Sequence, residues 1–147
     1  MIRPATIDDL PAILELGGRM HMESRFRDLP FDLTKVAGVF SSLIEGAGLV
    51  LVAEMHGRIV GGIAAMVVEH WFSTVKVAQD FALFIEPEHR GSMLAVRLLA
   101  RYEAWAREQG ATAVEMGINT GVHVEQTAKL FELRGFRQVA VLMAKEA

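Results

Sequence analysis

Between Val75 and Ile118 the chain reads strand, helix, strand, and this unit restricts the topology more than any other feature. Val75 to Ile85 is a largely apolar run that Pro87 stops. From Gly91 to Gln109, Leu94, Leu98, Leu99, Tyr102 and Trp105 form one apolar stripe. Arg97, Arg101, Glu103, Arg107 and Glu108 lie largely outside it, the pattern of a helix with one buried face. Gly110 supplies the residue that ends such a helix. Ala111 to Ile118 reads as the next strand. Two strands joined through a helix run parallel, with a right-handed crossover.

The rest of the chain supplies antiparallel elements around that unit. Ile2 to Ala5 reads as a strand. Thr6 with Asp9 three residues on resembles a capping box, and Leu10, Ile13, Leu14 and Leu16 continue at helical spacing to about Met22. Ser24 to Asp32 is a polar, Arg-rich loop, and Leu33 to Ile44 reads as a second helix. Leu49 to Met55 and Arg58 to Glu69 are strands joined by the turn dipeptide His56-Gly57. Downstream, Val122 to Arg134 reads as the last helix. Gly135 takes the left-handed cap, which lays Phe136 over Phe131, and Gln138 to Lys145 is expected as a final strand. The order predicts an α/β (α+β) fold: a mixed, mostly antiparallel sheet of about six strands with helices on both faces. Residues 1–147 are expected to form a single domain.

The composition narrows the function. Of 147 residues, 52% are apolar and 22% charged, enough to build a core and too apolar for a disordered chain. The net charge of -3 argues against a nucleic-acid partner. With no cysteine, thiolate nucleophiles, disulfides and iron–sulfur clusters drop out, and a cytoplasmic location fits. No histidine pair has metal-ligand spacing, so no metal is expected. The longest apolar stretch, Ile59 to Val68, is shorter than the roughly 20 residues a membrane span takes, so no membrane partner is expected.

Chemistry concentrates where the strand from Val75 gives way to the long helix. A helix start presents unpaired N–H groups and the positive end of the dipole. Arg90 adds charge, and Gly91 admits a ligand to the backbone. That is a phosphate site, or else a plain strand-to-helix turn. Asp80 is an acid inside an otherwise apolar strand, which leaves it paired, exposed or functional. Glu69 and His70 close the preceding strand.

Three segments in register are similar to the GNAT superfamily of acyl-CoA N-acyltransferases. They are Ile2 to Leu10 (IRPATIDDL), Ile85 to Gly91 (IEPEHRG) and Ala128 to Phe136 (AKLFELRGF). The element order is similar too. The resemblance implies that freed backbone groups of Phe84 and Ile85 bond the pantetheine of acetyl-CoA. It also implies that Arg90, Gly91, Ser92, Met93, Leu94 and Ala95 wrap the pyrophosphate, with Met93 where the family pattern has a glycine. Phe131 stands where many members carry an acid tyrosine. Val124 replaces an asparagine, and Asn119 is left either to bond pantetheine or to cap the helix. Asp80 lies near the family's base position, with Glu69 as the second candidate. His21, Glu23 and Arg25 fall in the loop that covers the acceptor groove in this family, where an exposed polar loop is the other reading. The implied activity is N-acetyl transfer to a primary amine of a small molecule or peptide, directly in a ternary complex. The alternative is a catalytically weak acyl-CoA-binding module. The 11 residues after Phe136 have room for one strand, and an open sheet edge there suggests a homodimer.

Overall fold

The computed structural model describes all 147 residues. Its sheet has five strands in the order β1-β2-β3-β4-β5. These are β1 (Ile2–Pro4), β2 (Leu49–Met55), β3 (Arg58–Glu69), β4 (Lys76–Ile85) and β5 (Ala113–Glu115). The first four are antiparallel to one another in sequence, and β5 is parallel to β4. The crossover read from residues 75–118 is therefore present.

Alternation along β2 separates two cores. Leu49, Leu51 and Ala53 face α3 (Leu94–Glu108) and α4 (Val124–Glu132), and pack with Leu98, Leu99, Tyr102 and Phe131. Val50 and Val52 face the other way, with Ile13 of α1 (Leu10–Glu23) and Leu43, which follows α2 (Leu33–Ser42). Period-two alternation on a central strand is what places helices on both faces.

Asp9 fixes the entry to α1. Arg3 donates to both its oxygens at 2.7 and 2.9 Å, and the Thr6 N–H donates at 2.8 Å. The Arg3 bond, helped by Thr6 and opposed by burial, lowers the Asp9 carboxyl from 3.8 to about 2. A depressed carboxylate stabilises the fold above its unfolded value, and that stability is lost as pH falls from about 4 to about 2. We expect Asp9→Asn to cost on the order of 1–2 kcal/mol at neutral pH. In denaturant melts taken at decreasing pH, the gap to wild type should close near pH 2.

Two elements differ from the sequence expectation. β5 spans three residues rather than 111–118, because its pairing with β4 stops at Gln79 and Glu115. Beyond that point the Gly117 N–H donates to the Asp80 carboxylate at 2.9 Å instead of to a β4 carbonyl. The expected strand at 138–145 does not form. No backbone–backbone hydrogen bond involves residues 137–147, so the sheet has five strands and not six. Glu103, expected outside the stripe of α3, is buried and paired with Arg134, which ties α3 to the end of α4.

Candidate functional site

The early end of the β4–β5 pairing leaves a fork in the sheet. From Asp80 to Ile85, β4 has β3 on one side and no strand on the other. The fork opens beside a bulge. Ala65 pairs with Asp80 and Ala64 with Ala82, so Phe81 is an extra residue. Phe81 is 52% exposed in mid-strand, an uncommon position for a large apolar side chain.

Asp80 stands at the base of the fork. One oxygen, Oδ1, is held by the Gly117 N–H, which leaves Oδ2 open. Burial pushes its carboxyl above the ordinary value, the Gly117 bond opposes the rise, and the nearby Glu115 charge adds to it. A carboxylate with a raised pKa beside an opening suits proton transfer. Glu69 is elsewhere. It pairs with Lys76 at the far end of β3, four residues from the Ala65–Asp80 pair, which is about 13 Å along the strand. His70 stacks on Phe72, with ring centroids 5.0 Å apart.

At the other end of the fork, a 3-10 turn over Pro87–His89 leads through Gly91, Ser92 and Met93 into α3. The Ser92 hydroxyl donates to the His89 carbonyl at 2.6 Å and closes the turn. The N–H groups of Gly91, Ser92 and Met93 donate to no acceptor within the protein. Three such groups in a row, next to a helix N-terminus, form an anion cradle. Gly91 has φ +81, with open space where a Cβ would sit. Met93 has φ -77, which suits any residue, and its side chain is 59% exposed. The fork and this cradle fit a pantetheine arm carrying a pyrophosphate.

Arg90 does not reach toward the cradle. Its Nε donates to the Ile85 carbonyl at 2.8 Å and its Nη2 to Glu23 at 2.7 Å, while the guanidinium lies 5.3 Å from the Phe84 ring centroid. Two residues along from Glu23, Arg25 crosses to the β5 side. Its N–H donates to the Thr120 carbonyl at 2.7 Å, and its Nε to the Asn119 carbonyl at 2.6 Å. The Arg25 stem lies over Gly121, where a Cβ would come within 3.2 Å of it. Residues 23–25 therefore bridge the mouth of the fork, joining the loop after β4 to the loop after β5. His21 accepts no charge partner; its Nε2 lies 2.7 Å from the Leu29 carbonyl and its ring packs on Phe31. Asn119 does not cap α4; that position is His123.

Phe131 is buried in the main core, 5.9 Å from Phe136 by ring centroids. Tyr102 is fully buried, and its hydroxyl donates to the Glu115 carbonyl at 3.1 Å. Burial above all, with the Asp80 and Glu115 charges, pushes that hydroxyl well above its usual range.

The sequence reading missed Glu86. It is buried, accepts from Arg19 of α1 at 2.8 Å, and takes both Nη atoms of Arg58 at 2.8 and 2.7 Å. This network fixes α1 against the end of β4 and so sets the height of the bridge. The available signal was an acid directly after the apolar run Leu83 to Ile85, matched by an arginine on α1.

Comparison with known proteins gives the family and the fold. The acetyltransferase (GNAT) family model matches residues 12–136. The chain belongs to the GNAT family of acetyltransferases, a family of enzymes. Rat N-acetyltransferase family 8 member 2 is 32% identical over 103 residues, covering 70% of this chain and 45% of that protein. Human N-acetyltransferase 8 is 31% identical over 107 residues, covering 73% and 44%. The chain thus spans under half the length of these relatives. A predicted acetyltransferase from Clostridium acetobutylicum, solved with acetyl-CoA, shares the fold with a TM-score of 0.82 and 14% identity, over 99% of this chain and 95% of that one. The family and the fold class read from sequence are both borne out. No helix is long and apolar enough to cross a membrane.

Proposed function

We propose that this GNAT chain transfers an acetyl group from acetyl-CoA to a primary amine of a small molecule or peptide, directly in a ternary complex. The observation that carries the reading is the continuous path from the acceptor-free N–H groups of Gly91, Ser92 and Met93, along the open edge of β4, to Asp80. The cradle takes the pyrophosphate, and the backbone of Phe84 and Ile85 lies along the arm. Ala95 adds a first-turn N–H group of α3, behind Leu94, whose own N–H meets the Ser92 Oγ at 3.4 Å. Asn119 lines the opposite side.

Bound acetyl-CoA supplies the thioester, whose carbonyl carbon forms the new C–N bond as its C–S bond breaks. Asp80 is the base. Its free Oδ2 takes the ammonium proton, leaving the amine lone pair to attack. A β4 backbone N–H next to the bulge stabilises the oxyanion. The departing thiolate takes its proton from water, since Phe131 has no hydroxyl to give. Glu69, at the far end of β3, takes no part in this scheme. Glu23 and Arg25 act by holding the bridge, with His21 and Phe31 beneath it. The same reading takes residues 1–147 as one domain working in the cytoplasm, with a second copy of itself beside it.

Because the bridge acts on position rather than chemistry, Arg25→Ala should raise KM for acetyl-CoA roughly 3- to 10-fold, the worth of one or two hydrogen bonds. kcat should stay near wild type in the same titration.

A panel of primary amines tests the activity: polyamines, amino sugars, amino acids and lysine peptides. Release of the CoA thiol can be followed with a thiol reagent, free of protein background because the chain has no cysteine. Amine-dependent release is expected with at least one class. Binding of acetyl-CoA with no release on any amine would favour the second reading, a catalytically weak acyl-CoA-binding module, which the hydroxyl-free Phe131 position suits.

A further inference from the structure

Acetyl transfer leaves Glu69 without a task. Its side chain lines a cavity of about 510 Å³ at the end of β4 away from the Gly91 loop. The walls are the end of β3, the start of β4, the last turn of α3 and residues 46–48 before β2. Val67 and Ala78 pack on the main core beneath α3, and Glu69 and Lys76 continue that same face at period two.

Glu69 and Lys76 are directly opposed, as the last pair of the β3–β4 ladder. Opposite charges so placed are close enough to pair. None of the ion pairs of the fold joins them. The Lys76 stem runs instead toward the end of α3, where its Cδ lies 4.0 Å from the place a Cβ on Gly110 would take. The negative end of the helix dipole favours an ammonium there. The nearest side-chain hydrogen bonds, from Thr112 to the Lys76 carbonyl and from Gln79 to Glu115, leave both charges free. The cavity is therefore lined by a carboxylate and an ammonium that do not neutralise each other. Trp105 and Gln109 stand beside them. The indole of Trp105 is half-buried and stacks on the buried Tyr102 ring, with centroids 6.4 Å apart, so this wall is fixed.

A ligand with one charge meets one favourable and one unfavourable group here. A ligand with both charges a few ångströms apart satisfies both, and an apolar side chain on it covers the indole. A largely preformed concavity with a few convergent polar groups is the usual form of a small-molecule site.

We propose that this cavity is a second binding site, for a zwitterion of the α-amino-acid class with an apolar or aromatic side chain. The ammonium goes to Glu69, the carboxylate to Lys76 and the side chain to Trp105. Glu69 is four residues along β3 from the Ala65–Asp80 pair, about 13 Å, so the site is separate from the fork. The inference does not depend on acetyl transfer.

Trp105 reports on the site directly. The other tryptophan, Trp71, is 95% exposed, and Trp71→Phe leaves Trp105 as the sole indole. This full-length variant is titrated with leucine, methionine and phenylalanine, and its emission is followed. A saturable change is expected with at least one of them. The N-acetyl and the carboxamide forms of that amino acid each lose one charge and should bind roughly tenfold or more weaker, the worth of a charge-assisted hydrogen bond. Glu69→Gln and Lys76→Met should each weaken the amino acid by a similar factor. Both residues are exposed, so neither change threatens the fold. Saturating acetyl-CoA should leave the titration in place. No saturable change with any of the three overturns the proposal. So does binding that survives both substitutions, or binding that acetyl-CoA displaces. Failure to acetylate any amine would leave these results untouched.

Discussion

Replacing Asp80 by Asn should lower kcat by about 10²- to 10⁴-fold, the usual worth of a positioned general base. Asn keeps the size of the side chain and an oxygen for the Gly117 N–H, so the fork keeps its shape. It loses the ability to take a proton. Two readouts separate chemistry from folding. The first is stability. Burial raises the Asp80 carboxyl above its ordinary value, so the folded state binds its proton more tightly than the unfolded state does. An acid of this kind costs stability as pH rises from its unfolded value through its folded one. Asp80→Asn should therefore melt at or above the wild-type temperature at neutral pH while losing turnover. The second is the pH profile. Wild-type kcat/KM should rise with pH through a limb above the ordinary carboxylate range, and the variant should lack that limb. An Asp80→Asn enzyme with wild-type kcat would move the base elsewhere.

Gly91→Val should raise KM for acetyl-CoA at least tenfold, equivalent to about 1.4 kcal/mol or more, with kcat at saturation nearly unchanged. Nothing stands where its Cβ would sit, so the cost is conformational and not a clash. At φ +81 a β-branched residue is strained by roughly 1–3 kcal/mol. The loop relieves the strain by rotating, which changes where the unpaired N–H groups of Gly91, Ser92 and Met93 point. Isothermal titration with acetyl-CoA and with free CoA should show the same loss for both, since both carry the pyrophosphate. Equal losses in KM and kcat would place the loop in the chemistry instead.

Both predictions concern a site whose framework was legible in the sequence and whose details were not. The crossover from β4 through α3 to β5 was readable because its signals are local: a run stopped by Pro87, a stripe at helical spacing, a closing Gly110. The loop at Gly91 followed from the same punctuation. What escaped were partners distant in sequence. Asp80 could be singled out as an acid in an apolar strand, but its bond to Gly117 depends on where two parallel strands separate. Arg90 was expected to face phosphate, and it is instead held by the nearby Ile85 carbonyl and by Glu23, 67 positions away. Glu86 and its two arginines form the same kind of long-range network. Residues 138–145 show the limit in the other direction. Their alternation reads as a strand, but alternation states a tendency and a strand also needs a neighbour, and these residues make no backbone–backbone hydrogen bond to the sheet.

Thermal melts with acetyl-CoA, with free CoA and with ATP test the central claim most directly, namely that the fork and the Gly91–Met93 cradle hold an acyl-CoA. Ligand at roughly 100 times its dissociation constant adds about 2.7 kcal/mol. For a domain of this size that is a rise on the order of 5–10 °C. The account predicts this rise with both CoA forms and none with ATP, which has phosphates but no pantetheine arm to fill the fork. No shift with either CoA form up to millimolar concentration would contradict it.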